Sequence, residues 1–555
     1  MTIRRRSLLK QLSAGMSLPA FLRLSPALTA QPTTTPSAGG QRKIAGGPFA
    51  PSWESLRQYK APEWFRDAKF GIWAHWTAQC VPEQGDWYAR RMYIQGDKDY
   101  DFHVSKYGHP SRFGFMELDN LWKAENWRPE ELMDLYVKAG AKYFVALANH
   151  HDNFDCYDSR HHAWNSVRVG PKQDIVGKWA KLARERGLRF GVTNHSAHAW
   201  HWFQTAYGYD GEGPQAGVRY DAYQLKKEDG NGKWWAGLDP QELYTGRNMV
   251  MPDGLKTIAA VKQWHDEHDR IWTESVPANN PEFVRTWFLR CQELVDKYQP
   301  DLLYFDDTEL PLEQAGLDIA AHFYNSNIAR KGRLEAVINS KKLKPEHVGA
   351  LVLDIERGRA NDILPDAWQT DTCIGDWHYN RSVFDRHGYK TAQTVIHSLV
   401  DIVSKNGNLL LNIPLRGDGS IDEDERRFLG EIATWIPAHG EAIFGTRPFA
   451  VSGEGPPSTA KTTDFNERNA RPYTSEDIRF TSKGENLYAT ALGWPETGTL
   501  TVKTLAENSP RFPRRVQRVE LIGHGPVPFK QDASGLALSL PEHKPNPYAY
   551  VFKIS

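Results

Sequence analysis

The fold class read from the sequence is α/β: a (β/α)8-like TIM barrel followed by a C-terminal all-β sandwich. Three observations carry that reading. Short apolar runs alternate with helical patterns through most of the chain, the pattern of parallel strands buried on both faces. Several of these runs stop abruptly at His or Asp, in the place where a barrel strand displays its chemistry. From about Thr446 onward the pattern changes to short alternating runs, such as Leu487–Leu492 and Val519–Ile522, which read as a β-sandwich.

At 555 residues the chain is too long for one compact domain. The expected division is a signal over 1–30, a Thr/Pro/Gly-rich linker over 31–50, the barrel over 51–445 and the sandwich over 446–555. The signal is read from Arg4-Arg5-Arg6-Ser7-Leu8-Leu9-Lys10, the weakly apolar stretch Leu12–Leu28, and a cleavage point at Thr29-Ala30-Gln31. It resembles a twin-arginine signal, which implies a periplasmic or secreted protein exported already folded. No other apolar run reaches the length of a membrane span, so no membrane anchor is expected. Lys+Arg and Asp+Glu both number 68 and no basic tract follows the N-terminus, which argues against nucleic acid as partner. Cys80, Cys156, Cys291 and Cys373 lie too far apart for a zinc motif or a dense disulfide framework.

Taken in order, Lys69–Ala74 is a strand ending at His75-Trp76, and Pro129–Ala139 is a helix with Pro at its start and Gly140 after it. Strand Lys142–Ala148 ends in Asn149-His150-His151-Asp152; helix Ile175–Glu185 stops before Gly187; strand Leu188–Thr193 ends in Asn194-His195. The Gly-rich, aromatic stretch Ala206–Asn248 is an excursion, expected to wall a pocket. Helix Asn280–Gln299 precedes Leu302–Phe305, a strand that ends in Asp306-Asp307. Alternation sends Asp307 to the side opposite Asp306. A helix over Leu317–Ala329, strands at Leu334–Ile338, Ala350–Gly358 and Trp368–Thr372, a helix over Thr391–Ser404 and a strand at Gly407–Pro414 complete eight units, and helix Glu423–Trp435 leads out. The chain also carries 20 Trp, 22 Tyr and 24 Phe, enough for an aromatic core and for rings that line a sugar site. Asp306 is the candidate nucleophile.

Several motifs in order resemble the glycoside hydrolase family 29 α-L-fucosidases: Lys69–Trp76, Gly85–Tyr93, Ala141–Phe154, Tyr304-Phe305-Asp306, Trp368–Tyr379 and Gly407–Pro448. The likeness runs from about Glu63 through the C-terminal β part. It implies an exo-acting enzyme that releases terminal L-fucose from a fucosylated oligosaccharide or glycoconjugate with no cofactor and no metal; it leaves oligomeric state open. Position by position, it makes Asp306 the nucleophile and His75, His150 and His151 fucose contacts. Asp86-Trp87 stands where the family usually has Glu-Trp, and His195 where many members place Tyr. Tyr304 and Trp377, within the shared motifs, and Arg357 join the expected substrate-binding set. Asn153 and Asp307 each replace a commoner Gly.

A retaining glycosidase needs a second carboxyl that stays protonated near neutrality. Some members carry a Glu after Trp where this chain has Gln369, and an amide delivers no proton. Glu356, at the end of an apolar strand, is therefore the preferred acid/base, with Asp371 second and Glu309 third. Two other readings stay open from sequence. One is a metal-dependent barrel hydrolase with His75, His150, His151 and Asp306 as ligands; the other is a catalytically silent glycan-binding protein.

Overall fold

The computed structural model describes residues 42–271, 274–456, 461–469 and 471–555. The signal read at 1–30 lies outside them. Eight parallel strands close into a barrel in chain order: β1 (Phe70–Ala74), β2 (Tyr143–Asn149), β3 (Arg189–Asn194), β4 (Leu302–Thr308), β5 (Val337–Lys341), β6 (Val352–Asp354), β7 (Trp368–Cys373) and β8 (Gly407–Asn412). The ring is sealed where Phe70 pairs with Leu409 and Trp73 with Asn412. Strands β1, β2 and β8 are buried along their whole length, which is why their sequences run apolar without alternation.

Helices whose ends carry a chemical signal fall where the sequence places them. Ile175–Glu185 begins at Asp174, whose carboxylate accepts the Gly177 N–H at 2.8 Å, and it buries Val176, Trp179 and Ala183. Glu423–Trp435 starts with a capping box in which Asp422 and Glu425 satisfy each other's backbone N–H groups. Ala392–Ser404 is capped by Thr391. The helix entering β4 differs from expectation: its α-helical part, Pro281–Glu293, passes into a π-turn over Leu294–Tyr298 and stops at Gln299 in the left-handed conformation, φ 48°.

Strand β5 starts three residues later than the sequence indicates. Glu335 is not sheet: its N–H donates to Asn327 Oδ1 at 2.7 Å and its carboxylate accepts from Arg189 and Arg333. Strand β6 is only three residues long, so Glu356 and Arg357 fall in the turn beyond it.

Inside the barrel, Tyr143 reaches Gln369 Oε1 with its hydroxyl at 3.0 Å. Gly71 permits this, because a Cβ there would lie 2.4 Å from the Tyr143 ring. Higher up, Trp73, Tyr304 and His195 form a ring cluster with centroids 5.6–6.2 Å apart.

After the barrel come a six-stranded antiparallel sheet and a three-stranded sheet, which share a core that includes Phe480, Leu487, Leu500, Val502, Leu536, Leu538 and Phe552. The sheets dock on the last barrel helices. Arg479 Nε donates to Asp401 at 2.6 Å, and Trp435 Nε1 and His397 Nε2 donate to the carbonyls of Ala549 and Tyr548. Residues Lys43–Ser555 thus form one compact unit. Among the described residues no helix is long and apolar enough to cross a membrane, and the four cysteines are buried and free.

Candidate active site

A cavity of about 640 Å³ opens at the carboxyl ends of the strands. Of the eleven residues expected from sequence, nine line it: His75, Asp86, Trp87, His150, His195, Asp306, Glu356, Arg357 and Trp377. His151 and Tyr304 are buried beneath the wall and do not line the cavity. His151 Nε2 faces Asp306 Oδ2 at 3.4 Å, while the Tyr304 hydroxyl donates to Asp371 Oδ2 at 2.9 Å. Both support carboxylates from below.

The centre of the site is a group the sequence reading missed. Lys341, the last residue of β5, donates from Nζ to Asp306 Oδ1 and to Glu356 Oε2, the latter at 2.7 Å. One ammonium touching both carboxylates keeps their nearest oxygens no more than about 5 Å apart, the close pairing that retaining rather than inverting glycosidases use. Alternation along the strands gives this arrangement. Asp306 lies two residues beyond Tyr304 on the inner side of β4, and Asp307 turns the other way, its carboxylate 3.2 Å from His198 Nε2.

The two carboxyls are held in different protonation states. Burial pushes Asp306 up, but the Lys341 ammonium, helped by the His151 hydrogen bond, outweighs it and holds this carboxyl well below the usual carboxylate range. For Glu356, burial dominates; Lys341 opposes it, Asp371 and Asp306 add to it, and the pKa rises to about 7. An ionised and a protonated carboxyl thus face each other across one cation, the pairing that acid-assisted displacement requires. Asp371 is also raised by burial, but it is 1% exposed, held by Tyr304 and set beside Asp354. The Glu356 side chain is 16% exposed. Glu309 lies outside the cavity and is bound by the Lys344 N–H and by His347.

The histidines form a desolvated wall. Gln79 Nε2 donates both to Asp152 Oδ2 at 2.9 Å and to His150 Nδ1 at 2.7 Å. Since Asp152 fixes the amide, His150 accepts at Nδ1 and carries its proton on Nε2, which points toward Asp86. His378 Nδ1 donates to Asp86 Oδ1 at 2.7 Å. Burial holds His75, His150 and His195 neutral. His75 Nδ1 and Nε2 and His195 Nε2 are buried and make no hydrogen bond with the described protein groups, so this wall presents unsatisfied donors and acceptors. On the outer side of β4, His198 Nε2 donates to the Asp306 carbonyl at 2.9 Å. Burial disfavours charge on this ring, but the flanking Asp307 and Glu274 raise its pKa to about 10, so an imidazolium braces the strand end.

Three groups of His, Asp and Glu among the described residues bring three or more ligand atoms within 4.8 Å of one another. None unites His75, His150 and His151 with Asp306, the set a metal-hydrolase reading needs.

A second feature was not legible in the sequence. The segment 463–467, between the first two strands of the C-terminal sheet, lies along the turn after β6. Asp464 Oδ1 accepts the Glu356 N–H at 3.1 Å, the Phe465 N–H donates to the Glu356 carbonyl at 2.7 Å, and the Glu467 N–H donates to the Arg357 carbonyl at 3.0 Å. Arg357, at φ 45°, lines the cavity yet gives Nε to Glu467 at 2.8 Å. By contrast, no residue of the Ala206–Asn248 excursion lines the cavity, contrary to expectation. Its tyrosines are committed elsewhere, with Tyr220 on Asp210 and Tyr244 on Asp221, which also bind Tyr100 and Tyr93.

Comparison with known proteins agrees with this geometry. The α-L-fucosidase family profile matches residues 38–441, and the α-L-fucosidase C-terminal domain profile matches 471–555. The chain belongs to the α-L-fucosidase family. It is 26% identical over 522 residues to the tissue α-L-fucosidase of Rattus norvegicus, covering 92% of each protein. It is 26% identical over 510 residues to the human tissue α-L-fucosidase, covering 90% of this chain and 89% of that one. Among solved structures, Thermotoga maritima α-fucosidase in complex with a mechanism-based inhibitor superposes with a TM-score of 0.66 at 25% identity, covering 91% of this chain and 99% of the other. The complex of the Thermotoga maritima enzyme with fucose gives 0.64 at 25% identity, covering 91% and 100%.

Proposed function

We propose that this family member is an exo-acting retaining α-L-fucosidase in which Asp306 is the nucleophile and Glu356 the acid/base. The observation that carries the assignment of roles is Lys341, whose one ammonium joins a carboxyl held ionised to a carboxyl held near neutrality. In the first step an Asp306 oxygen bonds to the anomeric carbon, the bond to the leaving oxygen breaks, and the Glu356 proton passes to that oxygen. In the second, Glu356 takes a proton from water, the water oxygen bonds to the anomeric carbon, and the Asp306 ester breaks. The sugar leaves with its configuration retained. The fully buried floor, with free nitrogens on His75 and His195, suits a terminal sugar held end-on. The substrate class is a fucosylated oligosaccharide or glycoconjugate. The work is done outside the cytoplasm, in the periplasm or after secretion, a reading supported by the Arg4–Lys10 stretch.

The test is hydrolysis of an aryl α-L-fucoside by the wild type and Asp306→Ala, with NMR of the first-formed sugar. Wild-type release of α-L-fucose, loss in the variant, and azide rescue to a β-fucosyl azide are expected. First release of β-L-fucose would show inversion and remove Asp306 as nucleophile. For export, mass spectrometry of the mature protein is expected to find cleavage near Ala30, abolished by Arg5→Lys/Arg6→Lys.

A further inference from the structure

We infer that the natural substrates of this site carry an anionic group, a sulfate or a uronate carboxylate, on the part of the glycan beyond the fucose. The inference rests on the fucosidase reading above and deepens it. The two carboxyls of the pair are only 19% and 16% exposed and the histidines beside them are buried, so the cleaved sugar sits against this sheltered part of the cavity and the rest of the glycan extends past the exposed lining. What lines the mouth therefore selects the aglycone.

Among the described residues, four of the lining are exposed: Arg270, Lys342, Phe465 and Arg468. Three are cations and the fourth is an aromatic ring; no lining carboxylate is exposed. The carboxylates are less exposed and are engaged, Asp306 and Glu356 with Lys341, Asp307 with His198, Asp86 with His378, Asp371 with Tyr304, Asp376 with Asn380 and Asp464 with the Glu356 N–H. The cavity is thus acidic and internally paired at its floor and basic at its rim. General surface basicity does not account for this, since acidic and basic residues balance at 68 each over the chain.

The rim cations are available to a ligand. Among the described residues Arg270 pairs with Asp266 at i,i+4 and 3.2 Å, both side chains being more than half exposed, and such a pair holds its partners weakly. Among the described residues no carboxylate lies within ion-pair distance of Lys342 or Arg468. They also come from separate parts of the fold. Arg270 follows the helix Ile258–His268, Lys342 follows β5, and Arg468 belongs to the segment from the C-terminal sheet. Lys342 and Phe465 both take the left-handed conformation, at φ 52° and 59°, which is strained for a non-glycine residue. At Phe465 the conformation is held by its N–H bond to the Glu356 carbonyl, which leaves the ring 45% exposed beside the acid/base. A ring that can stack on a sugar face, flanked by three cations, fits a charged sugar next to the fucose.

The test uses three substrates in one assay: a neutral fucosyl disaccharide, the same disaccharide sulfated on the aglycone sugar, and the analogue with a uronic acid there. At low salt the wild type is expected to show kcat/KM about tenfold or more higher for both charged substrates, falling toward parity at about 0.5 M salt as the rim is screened. The triple variant Arg270→Ser/Lys342→Ser/Arg468→Ser is expected to lose the charged-to-neutral ratio, while Arg270→Lys/Arg468→Lys keeps most of it. A preference for only one charged substrate identifies sulfate or carboxylate as the group recognised. Equal cleavage of charged and neutral substrates by the wild type at low salt would overturn this inference and leave the fucosidase reading standing. Failure to hydrolyse any fucoside would overturn both.

Discussion

Replacing Lys341 by Met removes the one cation that both candidate carboxyls share. Its Nζ lies 2.7 Å from Glu356 Oε2 and contacts Asp306 Oδ1, and all three side chains are less than one-fifth exposed. At that separation a unit charge pair is worth about 6 kcal/mol at an effective dielectric of 20 and about 1.5 kcal/mol in water. One pKa unit corresponds to about 1.4 kcal/mol, so each carboxyl is expected to rise by about 1 to 4 units. The sign follows from the charge: an ammonium favours the ionised form of both acids, and its loss favours the protonated form. In the wild type, activity is expected to rise with pH as Asp306 ionises, well below the usual carboxylate range, and to fall as Glu356 loses its proton near 7. In Lys341→Met both limbs of the kcat/KM profile on an aryl α-L-fucoside are expected to move to higher pH, the basic limb to 8 or above. Lys341→Arg keeps a cation and is expected to leave both limbs within about one unit. A Met variant that loses amplitude while both limbs stay in place would refute the claim that Lys341 sets the protonation of the pair.

Two more predictions come from the same structure. Glu356→Ala is expected to lose about 100- to 10,000-fold on a natural disaccharide and far less on a fucoside with an activated leaving group, and to lose the basic limb near pH 7. Equal loss on both substrates would transfer the role to Asp371. Arg290, buried, gives Nη2 to Asp155 at 2.6 Å and Nη1 to Asn153 at 2.6 Å, which fixes the loop after β2. Arg290→Met leaves Asp155 buried without its cation and is expected to cost about 3–5 kcal/mol in thermal or denaturant unfolding. The loss should shrink on acidification, because a carboxyl raised further by losing its cation is stabilised where it is protonated; a deficit that stays constant with pH would point to packing instead.

What could be read early and what could not divides along physical lines. Helices with a side-chain cap and a regular apolar face, such as Ile175–Glu185 and Glu423–Trp435, were placed to the residue, since both signals lie within a few positions of each other. Strand β5 was misplaced because Leu334–Ile338 has a strand-like composition, while the Glu335 N–H is taken by a helix side chain no local pattern reveals. His151 and Tyr304 were identified as site residues, but their depth was not. A strand-end residue can face the cavity or support its neighbour, and the difference is a few ångströms of burial. The aromatic excursion at Ala206–Asn248 looked like a pocket wall until its tyrosines found buried aspartates.

The barrel, its strand order, the β sheets that follow and the strand ends that carry Asp306 and the histidines are all legible in the order of the amino acids. Periodicity, caps and strand-end polarity are local, and a chain writes them within a dozen residues. The chemistry of the carboxyl pair, in contrast, arises from contacts made on folding. Lys341 reads in the sequence as one more lysine of Ser340-Lys341-Lys342, and it becomes the partner of two acids because β4, β5 and the turn after β6 are neighbours in a closed ring. Likewise, Asp464 and Phe465 meet Glu356 from 108 and 109 positions along the chain, a distance across which no pattern in one sequence speaks. Protonation, unlike secondary structure, is set by burial and by charges within a few ångströms, and those are properties of the folded molecule alone.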